Sequence, residues 1–256
     1  MPRRTKIVAT LGPATDPVSV TDEILAAGVD VVRLNLSHDT HDRHRERAAR
    51  IRERALAAGQ EIAVLMDLQG PKIRIGKFTD GKIQLARGDR FAIDTACPIE
   101  AGDQTRVGTT YVELADDVRH GDTLLLDDGA IELWVDAVVD GRIECQVVTG
   151  GTLSNNKGIN KKGGGLSAPA LTDKDKDDIR FAAEIDADYL AVSFVRNGDD
   201  VRLARELFYE AGGRGGIVAK IERAESLKGI DDIINAADAI MVARGDLGVE
   251  IGDAEL

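Results

Sequence analysis

The sequence predicts an α/β protein built of repeating βα units around a parallel sheet, and three observations carry that expectation. Apolar runs of strand length start near Thr5, Val31, Ile62, Tyr189, Gly216 and Ala239. Most are followed by stretches in which apolar residues return every three or four positions, at residues 16–27, 41–58, 173–184 and 197–211. Where nothing interrupts them, strand starts recur every 23 to 31 residues, the length of one strand, one helix and two short turns.

In chain order, the first strand is TKIVATLG and ends at the Gly12-Pro13 turn. The second is VVRLN and the third IAVLMD. The rhythm then breaks, because the interval from Ile62 to Tyr189 holds roughly 95 residues more than one βα unit needs. This insert is punctuated by Gly81-Lys82, Gly88-Asp89, Gly121-Asp122, Asp128-Gly129 and Asp140-Gly141 around short runs at Phe91-Ala92-Ile93, Ile131 to Val139 and Arg142 to Thr149. Turn signals at such spacing predict a small antiparallel β domain, a β-barrel lid on a loop at the strands' C-terminal end. Lys157 to Gly165, rich in glycine and lysine, is the expected return hinge. Thr172-x-x-Asp175 opens the next helix as a capping box. Strands YLAVSF, GIVAK and AIMVA complete six.

Strands rich in Val, Ile and Leu require cover on both faces, and at this repeat length an eight-stranded (β/α)8 TIM barrel is the commonest closed solution. With about six strands present the barrel is expected to be incomplete, since two more units need roughly 55 further residues; a truncated polypeptide is the expectation. The alternative is an open doubly wound sheet. The expected division is residues 1–70 for barrel strands one to three, 71–168 for the inserted lid and 169–256 for strands four to six.

The 45 acidic and 33 basic residues leave a net charge of −12, which argues against a nucleic-acid partner, since such surfaces carry a basic stripe. An anionic ligand must be met by a local basic cluster. Met1 to Lys6 is basic, but the apolar stretch behind it is too short for a signal peptide or a membrane span, so no membrane partner and a cytoplasmic location are expected. Cys97 and Cys145 lie in apolar, strand-like contexts without metal-knuckle or disulfide spacing and are expected to be reduced and buried.

Parallel-barrel enzymes place their chemistry where strands end at the C-terminal side. After the second strand, Arg33, Asn35 and Ser37 alternate with Leu34 and Leu36, so three polar groups share the inner face. After the third come Asp67, then Lys72 and Arg74 around a Gly-Pro turn. The fifth supplies Lys220 and Glu222, two apart and therefore on one face if both lie in the strand, and the sixth supplies Arg244, Gly245 and Asp246. One ammonium and two carboxylates converging at strand ends make a site for a divalent cation and an anion.

These residues sit in TKIVATLGPAT, VVRLNLSH, MDLQGPKIRIG, LLLDDGAIEL, KGIN, LSAPALTDKDKDDI, AVSFVR, AKIE and MVARGDLGVEIG. Together and in this order they resemble the pyruvate kinase family, whose N-terminal portion the chain is similar to over nearly its whole length. The resemblance implies transfer of a phosphoryl group from phosphoenolpyruvate to ADP, giving pyruvate and ATP, with Mg²⁺ (or Mn²⁺) on Glu222 and Asp246. It implies that Lys220 faces the phosphoryl group and the enolate oxygen, that Arg33 and Arg74 clamp phosphate oxygens, and that the backbone of Gly245 and Asp246 holds the substrate carboxylate. It also implies that Lys157 reaches the nucleotide phosphates, with Asn35, Pro13 and His38 on the nucleotide side. Asn35, Ser37, Asp67 and the Leu68 carbonyl align with a monovalent-cation site. Lys72 stands where K⁺-dependent members carry glutamate, and Leu68, Gln69 and Ile75 follow the K⁺-independent pattern, so no K⁺ requirement is expected. A homotetramer of the full-length protein is implied as well. After KGIN the family continues with a Leu-Pro-Gly type turn, whereas this chain has Lys161-Lys162-Gly163-Gly164-Gly165. A phosphoenolpyruvate-using lyase or mutase on a related barrel, or a fragment inactive on its own, are the alternatives.

Overall fold

The computed structural model describes residues 3–252 and 254–256; Met1 and Pro2 of the basic N-terminal stretch lie outside the described residues. Six strands form one parallel sheet: β1 (Val8–Leu11), β2 (Val31–Asn35), β3 (Ala63–Asp67), β12 (Tyr189–Val192), β13 (Gly216–Ile221) and β14 (Ala239–Val242). Between β3 and β12 lie β4 (Lys82–Leu85), β5 (Arg90–Asp94), β6 (Arg106–Val107), β7 (Thr123–Leu126), β8 (Ile131–Val139), β9 (Arg142–Thr149), β10 (Gly151–Ser154) and β11 (Ile159–Lys161). The helices are α1 (Val18–Ala26), α2 (His41–Ala57), α3 (Leu114–Asp117), α4 (Asp173–Glu184), α5 (Gly198–Glu210), α6 (Ala224–Lys228), α7 (Ile230–Ala236) and α8 (Arg244–Ile251).

Sheet order follows chain order, β1-β2-β3-β12-β13-β14, with no reversal. A doubly wound sheet needs a reversal point, so this order excludes the open alternative and fits an incomplete barrel. Alternation does the sorting. In β2, Val32 and Leu34 are fully buried while Val31, Arg33 and Asn35 are partly exposed on the other face. In register with them, Leu65, Ala191 and Val218 form an inner apolar layer against Val31, Tyr189 and Met241.

Local sequence sets the helix ends. Thr172 accepts from the Asp175 N–H while the Asp175 side chain accepts from the Thr172 N–H, the expected capping box. Asn197 caps α5 by accepting from the Asp199 and Asp200 N–H groups. Helix α1 begins at Val18, later than the periodicity predicts, with Pro17 extended (φ −60°, ψ 134°) at the N-cap and its carbonyl accepting the Thr21 N–H. Strand β1 begins at Val8 rather than Thr5.

Chain contacts divide the molecule into two compact units. One holds residues up to Gly70, Ala170–Ile221 and Gly229–Met241; the other holds Pro71–Pro169, Glu222–Lys228 and Val242–Leu256. The second unit therefore takes in two segments beyond the insert. Its main sheet, β11-β7-β8-β9-β5-β6, is antiparallel except for the parallel β5–β6 pair, and β10 pairs with β4. Strands β8 and β9 keep the limits read from the sequence, joined at Asp140-Gly141, where both residues are left-handed (φ 50° and 79°) as a two-residue hairpin turn requires. Its core runs through Phe91, Leu124, Leu126, Leu133, Val135, Ile143 and Val147. Cys145 lies in β9, whereas Cys97 lies in the loop after β5 rather than in a strand; both are free and buried. No described helix is long and apolar enough to cross a membrane.

Candidate functional site

In the first unit, side chains from five adjacent strands meet on one face of the parallel sheet. Thr10 pairs in register with Arg33, Arg33 with Leu65, and Asn35 with Asp67; Asp67 is in turn aligned with Ala191, one step from Val218. Residues aligned across a sheet share a face, and so do residues two apart along a strand. Arg33, Asp67, Ser193 and Lys220 are brought together by this rule.

Asp67, only 1% exposed, is the hub. Its Oδ2 accepts from Arg33 Nε at 2.6 Å, and Lys220 Nζ lies 3.2 Å from Oδ1, where it supplies charge but no directed hydrogen bond. Arg33 also donates to Thr10 Oγ1 at 3.0 Å. Ser193, just past β12, accepts from Lys220 Nζ at 2.6 Å and donates to the Leu68 carbonyl at 2.8 Å. Sequence reasoning missed Ser193 and the pairing of Asp67 with both cations. The signal was present: Ser193 lies two residues beyond Ala191, in the register of Asp67. Gly70, at φ 66°, turns the chain out of β3, and a Cβ there would lie 2.8 Å from the Phe194 ring, so only glycine fits.

The loops after β1 and β2 carry the other predicted residues of this unit. Pro13 starts a single 3-10 turn (Pro13–Thr15) and is exposed. The Asn35 side chain accepts from the Ser37 N–H at 3.0 Å, which folds Asn35 and Ser37 onto one turn, with His38 exposed at its end. Two buried side chains of α2 brace these loops. Arg47 donates to both carboxylate oxygens of Asp16, at 2.7 and 2.9 Å, and to Asp39 at 2.6 Å. The Arg47 guanidinium holds the Asp16 and Asp39 carboxyls below the usual carboxylate range. His44 donates from Nε2 to the His38 carbonyl at 2.8 Å while Nδ1 has no partner, and burial pulls its pKa below the ordinary value.

In the second unit, Arg74 and Lys157 come together along facing backbone. Arg74 bridges Gly158, and its guanidinium donates to the Asn156 carbonyl at 2.8 Å. The Lys157 ammonium is 2.7 Å from Asp127. Lys72, Gly245 and Asp246 line one cavity of about 730 Å³, with Asp128, Glu132, Lys162 and Arg244 contributing further charge of both signs. Helix α8 begins at Arg244, so the N–H groups of Gly245 and Asp246 belong to its first turn, where backbone donors attract anions.

Glu222 lies past the last residue of β13, Ile221, so the expectation that Lys220 and Glu222 are both strand residues is corrected: Glu222 belongs with the segment leading into α6. It is 2% exposed, and Asp246 is partly buried. Their oxygens suit a hard cation such as Mg²⁺, which keeps waters and takes one or two carboxylates. Among the described residues no group of three or more His, Cys, Asp or Glu gathers to hold a metal, so a cation on these two would draw its other ligands from water and substrate oxygens. In α8, Glu250 is 4% exposed, and burial raises its pKa although it accepts the Ala224 N–H at 2.9 Å.

The sequence profile of the family described as "Pyruvate kinase, barrel domain" matches residues 2–256. The chain is 55% identical over 257 aligned residues to a pyruvate kinase of Haemophilus influenzae, covering 99% of this chain and 54% of the relative. It is 54% identical to pyruvate kinase II of Salmonella typhimurium, again over 99% of this chain and 54% of the relative. With a pyruvate kinase of Mycobacterium tuberculosis the identity is 45%, over 98% of this chain and 53% of the relative. The chain thus spans about half the length of the curated relatives it matches.

Proposed function

The chain belongs to the pyruvate kinase family, and from that premise we propose that the protein containing it transfers a phosphoryl group from phosphoenolpyruvate to ADP, producing pyruvate and ATP. The observation that carries the reading is the Arg33–Asp67–Lys220 cluster with Ser193, assembled from adjacent strand ends on one sheet face. A buried ammonium fixed by a carboxylate and a hydroxyl is preorganised to offset charge on a phosphoryl group and on an enolate oxygen, and costs no reorganisation when that charge develops.

In this reading Arg33 and Arg74 clamp phosphate oxygens through several N–H donors, a geometry lysine cannot match. The first turn of α8 receives the substrate carboxylate through Gly245 and Asp246, and Lys157 leaves Asp127 to meet the nucleotide phosphates. Pro13, Asn35 and His38 border the nucleotide. Glu222 and Asp246 would hold Mg²⁺, for which Mn²⁺ could substitute; when bound it supplies positive charge shared between phosphoryl oxygens. Residues 71–168 act as the lid that excludes water. The location is cytoplasmic, and the full-length protein is a homotetramer.

K⁺ is not required in this reading. Asp67 already carries two cationic partners, the Leu68 carbonyl already accepts from Ser193, and Lys72 stands where the resemblance puts glutamate in K⁺-dependent members. A coupled assay on the full-length protein tests the main reading: pyruvate forms only when ADP is present, whereas consumption of phosphoenolpyruvate without ADP points to a lyase or mutase. Replacing a tetraalkylammonium salt by KCl at constant ionic strength is expected to leave the rate nearly unchanged, and a large increase refutes K⁺ independence.

A further inference from the structure

The three consecutive glycines Gly163, Gly164 and Gly165, where this chain departs from the family's pattern, are all left-handed, with φ of 78°, 79° and 96°. The Glu225 side chain, braced by Arg223, and the backbone of Glu250 close on this run. The Gly165 N–H donates to Glu225 Oε1, and Arg223 donates to the Leu166 carbonyl at 2.6 Å and to Glu225 Oε1 at 3.0 Å. The Gly163 N–H donates to the Glu250 carbonyl at 3.0 Å. Glu250 then ties two further segments through its carboxylate, accepting from the Ala224 N–H at 2.9 Å and from Asn160 Nδ2 at 3.4 Å. Arg223 directly follows Glu222, with Glu225 two residues further on, and Glu250 lies on the helix that carries Gly245 and Asp246. Helix α8 packs on both α6 and β11.

We propose that this glycine run is a clasp that sets the position of the Glu222 and Asp246 segments, with Glu225 and Glu250 as positioning residues for the cation those two acids hold. The proposal rests on the metal assignment made above. Gly164 shows why glycine is needed: a Cβ there would lie 2.4 Å from Glu225 Oε2, so any side chain pushes the Glu225 carboxylate off the run. Gly163 supplies an internal control. It has the same left-handed φ but open space around its missing Cβ, so Gly163→Ala brings the backbone strain without the clash.

The test is Mn²⁺ binding, read by electron paramagnetic resonance on the full-length protein without substrates. Gly164→Ala and Glu225→Ala are expected to weaken Mn²⁺ binding about tenfold, the usual effect of removing a group that orients a metal ligand. The double variant should be no weaker than either single one, because both remove one shared contact. Gly163→Ala should bind like the wild type. Equal affinities for Gly163→Ala and Gly164→Ala, or wild-type affinity in Glu225→Ala, overturn the clasp. Should Gly164→Ala fail to fold, Glu225→Ala, which only removes atoms, decides the matter. Glu222→Gln separates the two levels: wild-type Mn²⁺ affinity there overturns the metal assignment, and the clasp's role with it.

Discussion

Replacing Asp67 by asparagine keeps the size of the side chain and removes a negative charge that faces both Arg33 and Lys220. Asp67 is 1% exposed, and the Lys220 side chain 11%. The Arg33 side chain is 25% exposed, so water absorbs part of its loss. Lys220 is less exposed, and the new amide would turn N–H donors toward one of the two cations. Removing one partner of a buried ion pair costs about 3–5 kcal/mol, and with Arg33 partly solvated and Lys220 still bonded to Ser193 the lower end, about 3 kcal/mol, is expected. In a chain of this size each kcal/mol moves the melting midpoint by about 2–4 °C, which gives a loss of roughly 6–12 °C. Circular-dichroism melts of the 256-residue chain at neutral pH measure it. The double variant Asp67→Asn with Lys220→Met should lose less than the sum of the two single variants, because both singles remove one shared ion pair. A shift below about 2 °C, or losses that simply add in the double variant, would show that charge pairing at Asp67 does not hold this face together.

Three further outcomes follow from the same geometry. His44 has its pKa pulled below 6.5 by burial, so the unfolded chain takes up protons first as the pH drops; stability is full above 6.5 and declines as pH falls through the folded-state value, and His44→Gln flattens that decline in melts recorded from pH 7.5 to 5. Arg47→Met removes three hydrogen bonds from Asp16 and Asp39, but both carboxylates are partly exposed and rehydrate, so a loss of about 1–3 kcal/mol in urea titrations is expected; no measurable loss would deny the brace. Cys145, fully buried with its thiol pushed up to about 12, should resist thiol reagents in the native protein and react on unfolding.

Much of this was legible in the sequence because local chemistry decided it. Thr172 and Asp175 cap a helix whatever surrounds them, and Asp140-Gly141 can adopt the left-handed turn that joins β8 to β9. The alternation of Arg33, Asn35 and Ser37 with Leu34 and Leu36 sorts polar from apolar faces without reference to any partner, and Leu34 and Leu36 are buried. Pairing across strands was less legible. Arg33, Asp67, Ser193 and Lys220 are distant in sequence, and only the register of β2, β3, β12 and β13 selects Asp67 as the partner of both cations. Likewise, Gly163 to Gly165 fall in the expected return hinge, whereas Glu225 seated against Gly164 makes the middle glycine a close approach. The place of Glu222 depended on where β13 stops, and strand ends are set by contacts that a one-dimensional pattern does not contain.

The central claim is that the Lys220 ammonium, held by Asp67 and Ser193, offsets charge as the phosphoryl group leaves phosphoenolpyruvate. Its most direct test is the turnover of Lys220→Met in the full-length protein, with phosphoenolpyruvate affinity measured separately by calorimetry. The expected result is a fall in kcat of about 10²–10³ with affinity little changed, since the interaction belongs to the transition state. A kcat close to that of the wild type would contradict the account.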